Sequence, residues 1–227
     1  MRTWTAERLG AAAGIGFLVL NVIANLIPGG SAPSPHDHPA KIARYFVQHH
    51  RSIAIAVILT GIAAPLLAWL VATVALRLRA LGEGTWAVIV FALGVIAIAL
   101  GAGADAISGA LIRTSVAHSD RVTQGLYQLQ GYLTVKSFWF AAGLALTVGL
   151  AALRVLPRWY AWVSLAAAVL VGIGGLTVKG AGFFSPLQGM TAISFVALLV
   201  WILLTSIVFW RLAPEAEPRR QAVPTPA

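Results

Sequence analysis

The sequence predicts an all-α, polytopic membrane protein with six transmembrane helices in a bundle. Of the 227 residues, 59% are hydrophobic and only 10% are charged. Several apolar segments are also longer than the ~20 residues that cross a bilayer. This composition excludes a soluble globular domain. The absence of cysteine excludes disulfides, thiolate metal sites and cysteine nucleophiles.

The spans follow from the apolar runs and the polar residues between them. The first run follows Arg8 and is longer than the apolar core of a signal peptide, so we expect it to be retained as a helix; cleavage near residues 30–32 is the alternative. Pro65 falls within the second span, where membrane helices tolerate proline. The expected spans are about 9–27, 53–76, 86–112, 133–153, 160–178 and 190–210, in one domain over residues 1–212. Residues 213–227 are polar and proline-rich, which predicts a disordered cytoplasmic tail.

The longest loop, residues 28–51, precedes the second span. Asp37 can cap a helix there that carries Pro39 in its first turn. One face of that helix would hold Ile42, Tyr45, Phe46 and His49. This pattern predicts a short amphipathic helix in the first extracytoplasmic loop, lying on the outer membrane surface.

Four of the five histidines lie in the same loop: His36, His38, His49 and His50. Solvated side chains and ligands of a divalent metal are both open interpretations of such a group. We expect solvated histidines, with no metal and no cofactor. No histidine lies inside a span, which argues against haem held by two histidines.

Six spans place both termini on one side of the membrane. That side would carry nine arginines, including Arg77, Arg79, Arg154 and Arg158 in its two short loops. Because basic residues are enriched in cytoplasmic loops, we expect a plasma-membrane protein with both termini in the cytoplasm. The net charge of +9 is spread over the loops, which favours membrane lipids and not nucleic acid as partners. The oligomeric state is left open.

Asp105 is the only carboxylate within a long apolar segment. It follows Trp86 by about 28 Å of helix, close to the far edge of a ~30 Å hydrocarbon layer. A carboxylate in lipid requires a partner, a proton or water, so such a residue marks a functional site by default.

Two lysines are expected at the same depth as Asp105. Lys136 precedes Arg154 by about 27 Å of helix. Lys179 lies 20 residues after Trp159, close to the 19 residues that separate Trp86 from Asp105. The sequence therefore predicts an ion pair between Asp105 and one of these lysines. Lysines that extend to the headgroups, beside a solvated acid, are the alternative.

Further polar residues predict a pocket around these charges. Asn21 and Asn25 lie on one face of the first span, while Gln128 and Tyr132 continue the face of Lys136 at helical spacing. In the third span, a stripe of small residues permits another helix to approach closely. It consists of Gly94, Gly101, Asp105 and Ser108. We expect an outward-facing polar pocket between helices one, three, four and five. Its expected ligand-binding residues are Asp105, Lys136, Lys179, Asn21, Asn25, Gln128 and Tyr132.

Three segments carry a family resemblance: YFVQHHR at 45–51, LPRWYAW at 156–162 and the Arg-ended last helix from Val200 to Arg211. In these segments the chain resembles a broad group of actinobacterial membrane proteins of unknown function. The resemblance covers most of the chain and implies several spans. It implies no catalytic residues.

Three classes of function are consistent with these features. The first is a membrane protein whose outer pocket binds a lipid or another small amphiphile, with Asp105 and the lysines at its headgroup. The second is a small membrane enzyme that uses Asp105 as a general acid, for example on an isoprenoid. The third is a transporter with Asp105 as its proton site. The sequence favours the first, because it contains no acid–base pair suited to catalysis.

Overall fold

The structure is a computed structural model that describes residues 6–28, 32–117, 120–177 and 182–213. Its helices are α1 (Ala6–Leu26), α2 (Pro39–Ala80), α3 (Gly84–Val116), α4 (Asp120–Val155), α5 (Arg158–Gly175) and α6 (Gly189–Leu212). All six are long and apolar enough to cross a membrane, which confirms the predicted fold class. Residues 214–227 of the predicted tail lie outside the described residues.

The six helices form a closed ring. Each helix packs against the next one along the chain, and α1 also packs against α6. Since neighbouring helices alternate in direction, the α1–α2, α3–α4 and α5–α6 connections meet at one end of the ring, which we call the loop face. The other end, the terminal face, carries the α2–α3 and α4–α5 turns, the start of α1 and the end of α6.

Small residues bring the helices close together near the terminal face. A methyl group at Gly14 of α1 would overlap Ser206 of α6 and Leu70 of α2. One at Gly94 of α3 would likewise overlap Val71 of α2. Close approach of this kind provides van der Waals packing, which is a main source of helix association in lipid.

Helix α2 is continuous over 42 residues, or about 63 Å, which is about twice the thickness of the hydrocarbon layer. The segment expected to lie on the membrane surface is helical, but it is the first part of α2 and not a separate helix. Its apolar residues Ile42 and Phe46 are buried against Leu111 of α3 and Tyr127 of α4. The expectation of a surface helix is therefore corrected, because its apolar face is covered by protein and does not need lipid.

Residues 32–38 form a strap, which α4 holds against the loop face. The Tyr127 hydroxyl donates to the Pro33 carbonyl over 2.8 Å, and Gln128 Nε2 donates to the Pro35 carbonyl over 3.3 Å. Gln124 Nε2 donates to the carbonyl of Asp37 over 3.2 Å. Since consecutive turns of α4 supply these donors, the path of the strap is set by one face of that helix.

Asp37 organises the end of the strap. Its carboxylate accepts hydrogen bonds from Lys41 Nζ over 2.8 Å and from the Ser34 N–H over 2.9 Å. The Lys41 ammonium and then the Ser34 N–H hold the pKa of the Asp37 carboxyl below its ordinary value of 3.8. The ionised side chain thus joins the strap to the first turn of α2.

Candidate ligand cavity

A cavity of about 730 Å³ lies inside the ring of helices. Its walls come from α1, α2, α3, α4 and α6, together with Pro28, Ala32 and Leu187 at the loop face. The expected placement between helices one, three, four and five is corrected, because α5 contributes none of the described lining residues and α2 and α6 do. A volume of this size is typical of sites for small molecules and cofactors.

The cavity is long and narrow. Along α2 its lining extends from Tyr45 to Val74, which corresponds to about 44 Å of helix. At the other end it reaches Val148 of α4 and Thr205 of α6, each about two turns from the end of its helix near the terminal face. This shape suits an extended chain better than a compact ring system.

Polar side chains are concentrated on the wall formed by α2, α3 and α4 in the half of the cavity nearer the loop face. Asp105 and Ser108 lie one turn apart on α3 and share this wall with Thr60 of α2. The α4 residues are Gln130, Thr134 and Ser137, at helical spacing. We call these six residues the polar wall.

The lining nearer the terminal face is mostly apolar, although Thr205 also belongs to it. Its apolar residues include Phe17, Leu70, Val71, Val90, Leu144, Val148, Trp201 and Ile202, all of which belong to the main hydrophobic core. The cavity is therefore amphipathic along its length, with a polar half near the loop face and an apolar half near the terminal face.

The environment of Asp105 differs from the one predicted. Thr60 is the polar side chain that lies against its carboxylate. In the described part of the chain, ion pairs form between Asp37 and Lys41, Glu7 and Arg77, and Glu83 and Arg154, and none involves Asp105. The expected pair with Lys136 is therefore wrong, while the pair with Lys179 lies outside the described residues.

Gln130 connects α4 to α3 beside Asp105. Its Nε2 donates to Ser108 Oγ over 2.7 Å, and Ser108 Oγ in turn donates to the Ala104 carbonyl at 3.4 Å. This network assigns Nε2 as the amide atom that faces Ser108. Oε1 is then left buried, with no hydrogen-bond partner among the residues that the structure describes.

Only part of the predicted site is brought together. Asp105, Asn21 and Asn25 line the cavity, with Asn21 buried and Asn25 exposed. Both asparagines donate one amide hydrogen to their own helix, to Phe17 and Asn21 carbonyls respectively. Lys179 lies outside the described residues.

Three predicted residues of α4 do not line the cavity. Lys136 is exposed, Tyr132 is 43% exposed, and Gln128 binds the strap through Pro35. Their common face was predicted correctly from the helical spacing, but that face points away from the cavity. The inward face is that of Gln130, Thr134 and Ser137, which the prediction missed.

The small residues of the stripe on α3 have two different roles. Gly94 is a packing residue against Val71, as predicted for the whole stripe. At Gly101, in contrast, an added Cβ would meet no atom within 4 Å, and Gly101, Asp105 and Ser108 all line the cavity. The part of the stripe nearer the loop face therefore makes room for the cavity.

Fold and cavity together define a polytopic α-helical membrane protein with an amphipathic internal site. Compared with protein-family models, curated proteins and solved structures, the chain matches none. The resemblance to actinobacterial membrane proteins of unknown function therefore stays a prediction.

Proposed function

We propose that the protein binds a chain-like amphiphile, such as a single-chain lipid, inside the helix ring. The amphipathic form of the cavity is the observation that carries this proposal. The apolar half matches a hydrocarbon tail, whose burial contributes about 0.8 kcal/mol per CH₂ group when it leaves water. The polar wall around Asp105 then holds the headgroup.

The residues that line the cavity favour ligand binding over acid–base catalysis as the function. A general acid needs a second group that completes proton transfer or stabilises developing charge. Among the described lining residues, Asp105 has no second carboxylate, histidine, lysine or arginine beside it. The general-acid and proton-coupled alternatives therefore have less support than a binding site.

We also propose a plasma-membrane location with both termini in the cytoplasm. Arginines at the terminal face support this orientation: Arg77 and Arg79 end α2, and Arg154 and Arg158 flank the α4–α5 turn. The strap and the polar half of the cavity would then face the exterior. An amphiphile would enter with its headgroup at the outer side of the membrane.

Native mass spectrometry of the detergent-purified protein tests the binding proposal. We expect the natural chain to retain one amphiphile and Gly101→Leu to lose it, because the new side chain occupies the cavity. Gly109→Leu is the matched control on the same helix, since Gly109 also has open space around it but does not line the cavity. A natural chain without bound amphiphile, or equal retention by Gly101→Leu, would contradict the proposal.

A further inference from the structure

The polar wall presents hydrogen-bond acceptors and few donors. Its four hydroxyl groups each donate to a carbonyl three or four residues earlier in their own helix, over 2.7 to 3.4 Å. These hydroxyls belong to Thr60, Ser108, Thr134 and Ser137. A hydroxyl has a single proton, so each of them has only lone pairs left for a ligand.

Two stronger acceptors lie among these hydroxyls. The carboxylate of Asp105 has no ion-pair partner in the described part of the chain, and the Thr60 hydroxyl that lies beside it brings no positive charge. Gln130 Oε1 is buried without a partner among the described residues. Because Gln130 is bonded to Ser108, one turn from Asp105, both acceptors belong to the same part of the wall.

A ligand that complements this wall has to supply N–H donors and positive charge. A buried acceptor without a donor is unfavourable, and a carboxylate without a counter-charge in a mostly apolar cavity is also unfavourable. An anionic headgroup would add a second negative charge next to Asp105, and the described lining residues include no lysine, arginine or histidine to balance it. A primary ammonium group, with three donors and one positive charge, satisfies both acceptors.

We propose that the amphiphile is a protonated long-chain amine, whose ammonium group binds Asp105 and Gln130 Oε1. This inference rests on the proposed function, and it names the headgroup of the same ligand. It replaces the expected role of Lys136 at the headgroup, because Lys136 is exposed outside the cavity. The remaining contacts of the ammonium group are the hydroxyl lone pairs of the polar wall.

Octylamine, octanol and octanoate test the inference, since they are eight-carbon amphiphiles with a positive, a neutral and a negative headgroup respectively. Binding is measured by isothermal titration to the full chain in nonionic detergent at pH 7. We expect octylamine to bind at least about tenfold more tightly than octanol, as a charge-assisted hydrogen bond implies. In Asp105→Asn this ratio should fall to within about threefold, because octylamine loses its ionic partner and octanol has no charge to lose. Partition into micelles is equal for the two proteins and cancels in the comparison.

Gln130→Leu provides a second readout that leaves Asp105 in place. The preference for octylamine should decrease by about threefold to tenfold, because one acceptor of the ammonium group is removed. Equal affinity for all three probes, with binding lost in Gly101→Leu, would overturn the amine inference and keep the proposed function. Tightest binding of octanoate would also overturn it and indicate a cation such as Lys179 at the site. Absence of binding by every probe would contradict the proposed function itself.

Discussion

Gln130 Nε2 of α4 donates to Ser108 Oγ of α3 over 2.7 Å, in the half of the cavity nearer the loop face. This bond fixes the distance between the two helices that carry most of the polar wall. It also orients the Gln130 amide, so that Oε1 and not Nε2 is left for a ligand. One interhelical contact therefore has both a packing role and a recognition role.

The packing role predicts a small coupling energy between these residues. Interhelical hydrogen bonds within membranes average about 0.6 kcal/mol and reach about 1.7 kcal/mol. We expect Gln130→Leu and Ser108→Ala each to lower the free energy of unfolding by a similar amount, and the double variant to lose less than the sum. Unfolding in mixed micelles of denaturing and nonionic detergent measures this coupling. Strictly additive losses would show that the bond does not contribute to stability.

Gly94 and Gly101 of α3 predict opposite effects of the same substitution. Gly94→Ala should destabilise the protein by about 1–3 kcal/mol, because its methyl group overlaps Val71. Gly101→Ala should be neutral or stabilise it by up to about 1 kcal/mol, because alanine favours the helix and the site is open. Thermal unfolding in detergent compares the two variants. Val71→Ala should restore part of the stability lost in Gly94→Ala; if it restores none, steric overlap is not the cause.

Tyr160 is expected to stabilise the fold through a buried hydrogen bond, whereas the exposed Tyr132 is not. The Tyr160 hydroxyl lies 2.8 Å from Thr205 Oγ1, which itself donates to the Trp201 carbonyl, so Tyr160 is the donor between α5 and α6. Tyr160→Phe should lower the free energy of unfolding by about 0.5–1.5 kcal/mol. Tyr132→Phe is the matched control and should change it by less than about 0.5 kcal/mol, because Tyr132 is exposed. Equal losses in both variants would mean that the buried bond is not the stabilising element.

Hydropathy and length were sufficient to predict the six spans, because the cost of placing polar backbone in lipid allows few alternatives to long apolar helices. They were not sufficient for α2. The amphipathic helix and the second span were predicted as separate helices on either side of Arg51, yet polar side chains do not interrupt a helix that continues beyond the membrane. The apolar face of Ile42 and Phe46 was identified correctly, but the sequence contains no signal for which surface covers it.

The depth of site residues was more predictable than their direction. Helical rise predicted a similar depth for Asp105 and Asn21, and both of them line the cavity. Direction around α4 was ambiguous, because two polar faces compete there, one with Lys136 and one with Gln130. The small polar residues Thr134 and Ser137, which accompany Gln130, were the available signal: hydroxyls can donate to their own helix when buried, whereas lysine requires water or headgroups.

Asp37 predicts a dependence of the strap on pH. Its pKa is held below the ordinary value of 3.8 by Lys41 and by the Ser34 N–H, so its contribution to stability is present above that value. The contribution is lost as the pH falls through the lower, folded-state pKa. We expect Asp37→Asn to have a lower unfolding temperature than the natural chain at pH 7, and the difference to vanish below the folded-state pKa. The effect should be small and should decrease with salt, because the Lys41 side chain that pairs with Asp37 is exposed. A difference that persists unchanged at low pH would exclude the carboxylate as its origin.

The proposed orientation predicts which face of the protein is accessible from outside the cell. Since the chain contains no cysteine, single cysteines can be introduced at exposed sites without a background signal. His36→Cys places one in the strap and Ala80→Cys places one at the end of α2 on the terminal face, and both positions are exposed. In intact cells, a membrane-impermeant maleimide should label His36→Cys, whereas Ala80→Cys should react only after permeabilisation. The physical reason is the arginine excess at the terminal face, which favours retention of that face in the cytoplasm. The reverse pattern would place the polar half of the cavity on the cytoplasmic side, and the amphiphile would then enter from the inner leaflet.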